Sequence, residues 1–250
     1  MINLKSSFEI KNMRRAGRIV AEVLQEMERV VAAGVTTAAL DKLAEKLIRR
    51  AGAEPAFLGY HGFPASICTS INEEVVHGIP GLRKLQEGDI ISIDVGVRLD
   101  GYYGDAAATY AVGEISPLAK RLIDVTRQSL EEAIKAMRVG GHLSDLSHAV
   151  QFYAEINRFS VVRSYCGHGI GTEMHEEPQV PNFGKPGRGP TLQPGLVLAV
   201  EPMVNAGGWE VAVLPDQWTV VTKDRNLSAH FEHTIALGEH GPEILTVLRD

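Results

Sequence analysis

Four carboxylates and a group of histidines carry the chemistry that can be read from this 250-residue chain. The run Asp94-Val-Gly-Val-Arg-Leu-Asp100-Gly101-Tyr-Tyr-Gly-Asp105 reads as a β-hairpin, because Asp-Gly is the dipeptide that a two-residue turn with positive φ prefers. With Asp100 and Gly101 as the loop, Gly96 faces Asp105. Asp94 then sits two residues away on the same face, a diagonal separation of about 7–8 Å. A four-residue loop would instead pair Asp94 and Asp105 directly. In either register two acids aim at one place, where their repulsion calls for a cation between them. Glu201 closes the apolar run 196–200 ahead of Pro202, and Glu232 sits inside the segment 229–237, between Phe231 and His233. A buried acid is expensive unless it is paired or metal-bound. His168 lies in the glycine-rich Cys166-Gly-His-Gly-Ile-Gly171, His175 in Met174-His-Glu-Glu-Pro178, and His77 in Asn72-Glu-Glu-Val-Val-His-Gly-Ile-Pro80. Four carboxylates with an imidazole make a hard, oxygen-rich donor set suited to Mn²⁺, Fe²⁺ or Co²⁺ rather than to a sulfur-rich structural zinc site. Two such ions neutralise the four acids, and a pair of ions about 3.5–4 Å apart activates water near neutral pH. The expected reaction is metal-assisted hydrolysis.

Positioning these residues requires helices and antiparallel strands in one α+β domain. Ser6 and Glu9 form a capping box ahead of Ile10, Met13, Val20, Leu24 and Met27 at helical spacing. A second helix is predicted from Thr37, a third from Ser116 with Pro117 in its first turn and an end near Gly140, and a fourth from about Ser144. Period-two alternation predicts strands over 89–97, 102–112, 196–200, 218–222 and 231–237. Sliding the chain against itself by 107 residues brings Gly34 onto Gly141, His61-Gly62 onto His168-Gly169, Leu85-Gln86 onto Leu192-Gln193, and Asp94 onto Glu201. The implication is two related halves, about 1–112 and 113–250, around a shared curved sheet within a single catalytic domain over 1–250.

The balance of 44% hydrophobic and 22% charged residues is that of an ordinary globular chain. No stretch approaches the ~18 apolar residues of a membrane span. The polar start of the chain lacks the apolar core of a secretory signal, so a cytoplasmic protein is expected. Two cysteines, Cys68 and Cys166, offer neither a disulfide framework nor a zinc ribbon. A formal net charge of −6 gives no general attraction to nucleic acid, and basic clusters such as Arg14, Arg15 and Arg18 fall on polar helix faces.

Taken together, the segment 68–80, the Asp94/Asp105 hairpin, Gly167-His168-Gly-Ile-Gly171 with His175-Glu-Glu-Pro178, Val200-Glu201-Pro202 and Glu232-His-Thr234 resemble the type I, bacterial-type methionine aminopeptidases over nearly the whole chain. The resemblance implies the pita-bread fold, with Asp94, Asp105, His168, Glu201 and Glu232 as ligands of two divalent ions drawn from Co, Mn, Fe(II) or Zn. It implies that His77 contacts the scissile amide, that His175 donates to the developing oxyanion, and that Glu201 doubles as proton shuttle. It maps a methionine pocket onto Tyr60, Phe63, Cys68 and Trp218, with Met174 where relatives can carry an aromatic, and a monovalent-cation loop onto Asn72, Glu74 and Ser228. Nascent polypeptides are the implied substrate, with a ribosome contact and a monomeric state as further expectations. A preference for small second residues implies that this chain keeps its own Met1 ahead of the bulky Ile2. Two other readings share parts of this pattern: a proline-specific (Xaa-Pro) peptidase of the same fold, and a non-catalytic module that uses the fold for binding.

Overall fold

The computed structural model describes residues 2–248; Met1, and with it the expectation about its retention, lies outside them. Four helices form where caps and periodicity predict. Helix α1 (Ser7–Val30) starts from Ser6, whose side chain accepts the Glu9 N–H while Glu9 reaches back to the Ser6 backbone. Helix α2 (Thr37–Arg50) is capped by Thr36, α3 (Pro117–Ala136) by Ser116, and α4 (Leu143–Ile156) follows His142. Helix α3 stops at Met137, four residues short of Gly141, because the Met137 N–H closes the last turn on Ala133 and Ile134.

The strands are antiparallel. Ile90–Leu99 pairs with Tyr102–Ala111 on one side and with Glu54–Pro55 and Cys68–Ile71 on the other. A five-stranded sheet runs in the order Gly241–Ile244, His233–Gly238, Val197–Val200, Cys166–Gly169, Glu176–Pro181. Two three-stranded groups complete the set: Ser228–His230, Met203–Asn205 and Ser160–Val161, then Val211–Val213, Val220–Thr222 and Glu74–Val76. The strand predicted over 218–222 begins only at Val220, because the Asp216 carboxylate accepts the Trp218 and Thr219 N–H groups and folds them into a turn.

The hairpin adopts the two-residue loop. Asp100 and Gly101 have φ of 51° and 84°, Leu99 faces Tyr102, and Gly96 faces Asp105. Alternation then sorts the side chains. Ile91, Ile93, Val95 and Val97 pack outward under α1 and α2, and Asp94 faces the opposite side. Helix α1 lies close to this sheet because neither Gly17 nor Gly104 has a side chain; a Cβ on Gly104 would stand 2.8 Å from the Gly17 nitrogen. On the other flank α3 and α4 bury Leu122, Leu130, Leu146 and Val150 against Leu196, Leu198, Ile235 and Leu237. Each helix pair meets a loop in the same manner, through the bridges Thr36–Lys84 and His142–Thr191.

One expectation needs correction. The pattern over 231–237 predicts a strand that includes Glu232, but Phe231 and Glu232 lie in a break between the strands Ser228–His230 and His233–Gly238. The Phe231 N–H donates to Pro202 O, and Glu232 exchanges both of its backbone hydrogen bonds with Ala107. The break joins the second half of the chain to the hairpin. Glu201 likewise stands just past Val197–Val200, ahead of Pro202, so both glutamates occupy strand interruptions.

Candidate metal centre

A cavity of about 380 Å³ opens between the hairpin and the five-stranded sheet. Its walls include every residue singled out for catalysis, metal binding or the methionine pocket: Asp94, Asp105, His168, Glu201, Glu232, His77, His175, Tyr60, Phe63, Cys68 and Trp218. Phe57 and His61 line it as well and were not anticipated. For His61 a signal existed, since the 107-residue offset places His61-Gly62 on His168-Gly169.

The acids form the floor. Burial pushes the carboxyls of Asp94, Asp105, Glu201 and Glu232 above the usual carboxylate range. The negative charges around them add to the shift: Glu232 and Asp94 act on Asp105, Asp105 and Asp94 on Glu201, and Glu201 and Asp94 on Glu232. His168 sits at the edge of this group, with Nε2 3.8 Å from Asp105 Oδ2 and 3.6 Å from Glu201 Oε1. Its Nδ1 lies 2.9 Å from Gly169 O, which assigns the proton to Nδ1 and leaves the Nε2 lone pair facing the acids. Burial, then the neighbouring His175, lowers its pKa to about 3, so the ring is neutral. Gly167 allows this approach, because a Cβ there would collide with Ala199 O of the neighbouring strand and crowd the Val180 Cβ and the Glu201 Cγ.

Whether these residues suit a metal can be tested on their own bonding. Ligand atoms of Asp105, His168 and Glu232 all lie within 4.8 Å of one another. Asp94 Oδ1, Asp105 Oδ1 and Glu232 Oε1 are buried without a hydrogen-bond donor among the described residues. Buried carboxylate oxygens without donors are costly. Three of them converging beside an imidazole lone pair, with no buried Lys or Arg among the cavity's lining residues, form a donor set whose chemistry fits a hard divalent cation.

His230 was missed by sequence reasoning. It is 2% exposed, and its unpartnered Nε2 stands 4.0 Å from both Glu201 Oε2 and Glu232 Oε2. No local motif marks it; its pairing with Met203, two residues past Glu201, and its backbone bonds to Thr109 bring it to the site.

Two histidines hang over the acids. His77 has φ of 60° and lies edge-on to Tyr165 at 5.6 Å; burial lowers its pKa to about 4. The His175 ring centroid is 4.2 Å from that of His168, and its Nδ1 is 2.7 Å from the Tyr60 hydroxyl. Burial, then the neighbouring His61, lowers the His175 pKa, so the ring is present without charge near neutrality. Phe63 and Trp218, edge to face at 5.1 Å, continue the wall as an apolar slot with Cys68, whose backbone pairs with Asp94. Met174 is fully covered and packs behind Phe57, Phe63 and Cys68. Asn72, Glu74 and Ser228 lie together, with the Ser228 N–H on Asn72 O and the Glu74 carboxylate accepting the Ile71 N–H and Arg83.

Comparison with known proteins gives this arrangement a class. Residues 11–239 match metallopeptidase family M24, and the chain belongs to that family. Within it, the full-length likeness is to bacterial methionine aminopeptidases. The chain is 55% identical to the methionine aminopeptidase of Clostridium acetobutylicum over 248 residues, covering 99% of both. It is 54% identical to methionine aminopeptidase 1 of Bacillus subtilis, covering 98% of this chain and 99% of the relative. The crystal structure of methionine aminopeptidase from Thermotoga maritima superposes with a TM-score of 0.98 at 48% identity, covering 99% of this chain and 100% of that one. The architecture is the pita-bread fold of mixed helices and antiparallel sheets. No helix among the described residues is long and apolar enough to cross a membrane.

Proposed function

We propose that this chain removes the N-terminal methionine from newly made polypeptides, preferring a small second residue, by attack of an activated water on the first peptide bond. One observation carries the reading: a single cavity joins a floor of four buried acids and an imidazole to a narrow apolar slot that suits an unbranched thioether side chain. The Xaa-Pro and binding-module readings have no observation of their own in their favour. High identity to methionine aminopeptidases over the full length supports the first reading against them.

Asp94, Asp105, His168, Glu201 and Glu232 would hold two divalent ions, Co, Mn, Fe(II) or Zn. Bound there, the ions supply Lewis acidity and lower the pKa of water toward neutrality. Glu201 takes the proton of the attacking water and returns it to the leaving amine, a role suited to a carboxyl whose burial holds its pKa high. With the Tyr60 hydroxyl donating to Nδ1, His175 carries its proton on Nε2 and donates to the carbonyl oxygen as charge develops. His77, which lines the same cavity, contacts the scissile amide. Tyr60, Phe63, Cys68 and Trp218 hold the methionine side chain and exclude water. The same reading places a monovalent cation beside Asn72, Glu74 and Ser228, where backbone carbonyls and a half-buried carboxylate supply oxygen. It takes the whole chain as one catalytic domain of two related halves, monomeric and cytoplasmic, meeting its substrates at the ribosome.

The test is a pair of peptides. The Mn²⁺-loaded protein is expected to cleave Met-Ala-Ser and to leave an Xaa-Pro peptide intact. Cleavage of only the second would overturn the assignment, and failure to retain any divalent ion after loading would favour a binding module.

A further inference from the structure

Lys5 is 8% exposed and is the one lysine buried among the described residues. It lies ahead of α1 and pairs with Glu176, which follows His175 directly. Both side chains are nearly sealed, at 5% and 7% exposure, so each charge depends on the other. The Glu176 carboxylate organises the loop that carries His175. Its Oε1 accepts the N–H groups of Thr172 and Glu173, and its Oε2 accepts the Lys5 ammonium. The loop is otherwise irregular between Cys166–Gly169 and Glu176–Pro181, tied by Gly171 N–H to Glu173 O and Tyr103 N–H to Gly171 O. Gly171 leaves room for the Lys5 stem, because a Cβ there would collide with Lys5 Cε and Glu176 Oε1. Lys5 is anchored in turn, its N–H on Gly195 O at 2.6 Å and its ammonium on Asn3 O at 3.0 Å. A segment remote in sequence thus supplies the cation around which residues 171–176 wrap. On the cavity side the His175 ring bonds the Tyr60 hydroxyl and packs against the His168 ring.

We propose that Lys5 is a positioning residue for His175: through its buried ion pair with Glu176 it fixes the loop that presents the imidazole to the cavity. The proposal rests on the role assigned to His175 above. Without the ammonium, Glu176 must move toward water, and the loop moves with it. His175 then loses its alignment with a carbonyl oxygen that a displacement of about 1 Å is enough to spoil. Asp94, Asp105, His168, Glu201, Glu232 and the residues that line the slot lie outside 171–176; only Met174, packed behind the slot, belongs to the loop.

The experiment uses the full-length, Mn²⁺-loaded chain on Met-Ala-Ser, with Lys5→Met, Lys5→Arg, Glu176→Gln and His175→Ala, and Arg14→Met as a control that breaks the more exposed ion pair to Glu243. Lys5→Met and Glu176→Gln are expected to lower kcat by about 10- to 100-fold with KM changed less than about threefold. Lys5→Arg is expected to recover most of the loss, and Arg14→Met to leave kcat unchanged. Added to His175→Ala, Lys5→Met should lower kcat no further, which a merely structural role would not produce. If Lys5→Met melts near the assay temperature, Lys5→Met/Glu176→Gln, which leaves no buried charge, carries the same test. Unchanged kcat in the ion-pair variants beside a crippled His175→Ala overturns the proposal alone, as does an additive double variant. An active His175→Ala overturns the role of His175, and the proposal falls with it.

Discussion

The strand Tyr102–Ala111 and the segment 228–234 face each other across a local two-fold, and they are braced identically while carrying different chemistry. Ala107 and Glu232 exchange both backbone hydrogen bonds, which puts the axis between them. Two residues before this pair stand Asp105 and His230; two after stand Thr109 and Thr234. The Asp105 N–H donates to Thr234 Oγ1, whose hydroxyl donates to Asp105 O. The His230 N–H donates to Thr109 Oγ1, whose hydroxyl donates to His230 O. One scaffold thus offers the same backbone positions twice and fills them with a carboxylate and a methyl on one side, an imidazole and a carboxylate on the other. The shared hydrogen-bond frame is common to both sides, and the difference in side chains makes the site.

The largest expected effect tests whether the hairpin side is indispensable. Asp105→Ala should lower turnover by roughly 10³-fold or more, as loss of a group made for the transition state does. The fold should survive, because a buried acid without a donor on Oδ1 destabilises the metal-free protein. Peptide assay with circular dichroism checks both parts. A metal-replete, active Asp105→Ala would show that the segment 228–234 suffices alone.

The two sides also differ in how legible they are. Asp94 and Asp105 follow from register arithmetic once Asp-Gly is read as a turn, because ten paired residues in each strand leave no freedom downstream of the loop. Glu201 and Glu232 stand out in the sequence as acids beside apolar runs, but the strand expected through Glu232 is interrupted there. Its backbone leaves its own sheet to pair with Ala107, a partner 125 positions away that periodicity cannot reveal. His230 was invisible for the same reason, and Lys5 because a lysine ahead of a helix reads as solvated until its partner is known. Phe57 and Met174 show that apolar residues announce burial without saying which of them reach the cavity.

A pH series sharpens the contrast between acids and imidazoles. Asp94, Asp105, Glu201 and Glu232 have folded pKa values raised by burial, so their contribution to stability is complete below about pH 4 and is lost as pH rises through the raised values. His77, His168, His230 and His233 have values lowered to about 3 or 4, again by burial, so their contribution is complete above about pH 6.5 and is lost as pH falls. Asp94, raised to about 7, titrates in the folded protein between pH 6.5 and 8, where the folded-state histidines are already neutral. In chelator the melting temperature should therefore fall across that window by roughly 5 °C or more, and Mn²⁺ should flatten the decline by compensating the charges that deprotonation exposes. A flat profile in chelator would mean that the acids are compensated without a cation.

Thr234→Val and Thr109→Val then ask whether equivalent braces do equivalent work. Each removes a buried hydroxyl and leaves an N–H and a carbonyl unpaired, at a cost of about 1–3 kcal/mol, or roughly 5 °C in melting temperature for a chain this size. Thr109→Val should be the more damaging, because Thr109 also bonds Ser92 Oγ at 2.8 Å. Mn²⁺ affinity should weaken more in Thr234→Val, the brace behind Asp105. Equal affinities would mean that His230 and Asp105 matter alike to the centre.

The smallest effect concerns the hairpin tip. Arg15 pairs with Asp100 at 2.8 Å, yet both side chains are more than half exposed, and such pairs contribute between zero and about 1 kcal/mol. Arg15→Ala should shift the melting temperature by no more than about 2 °C and leave kcat unchanged, because the register at Asp94 and Asp105 is set by the paired strands and by the apolar face under α1 and α2. A measurable loss of kcat would locate the control of that register at the turn and make the hairpin the softer of the two facing elements.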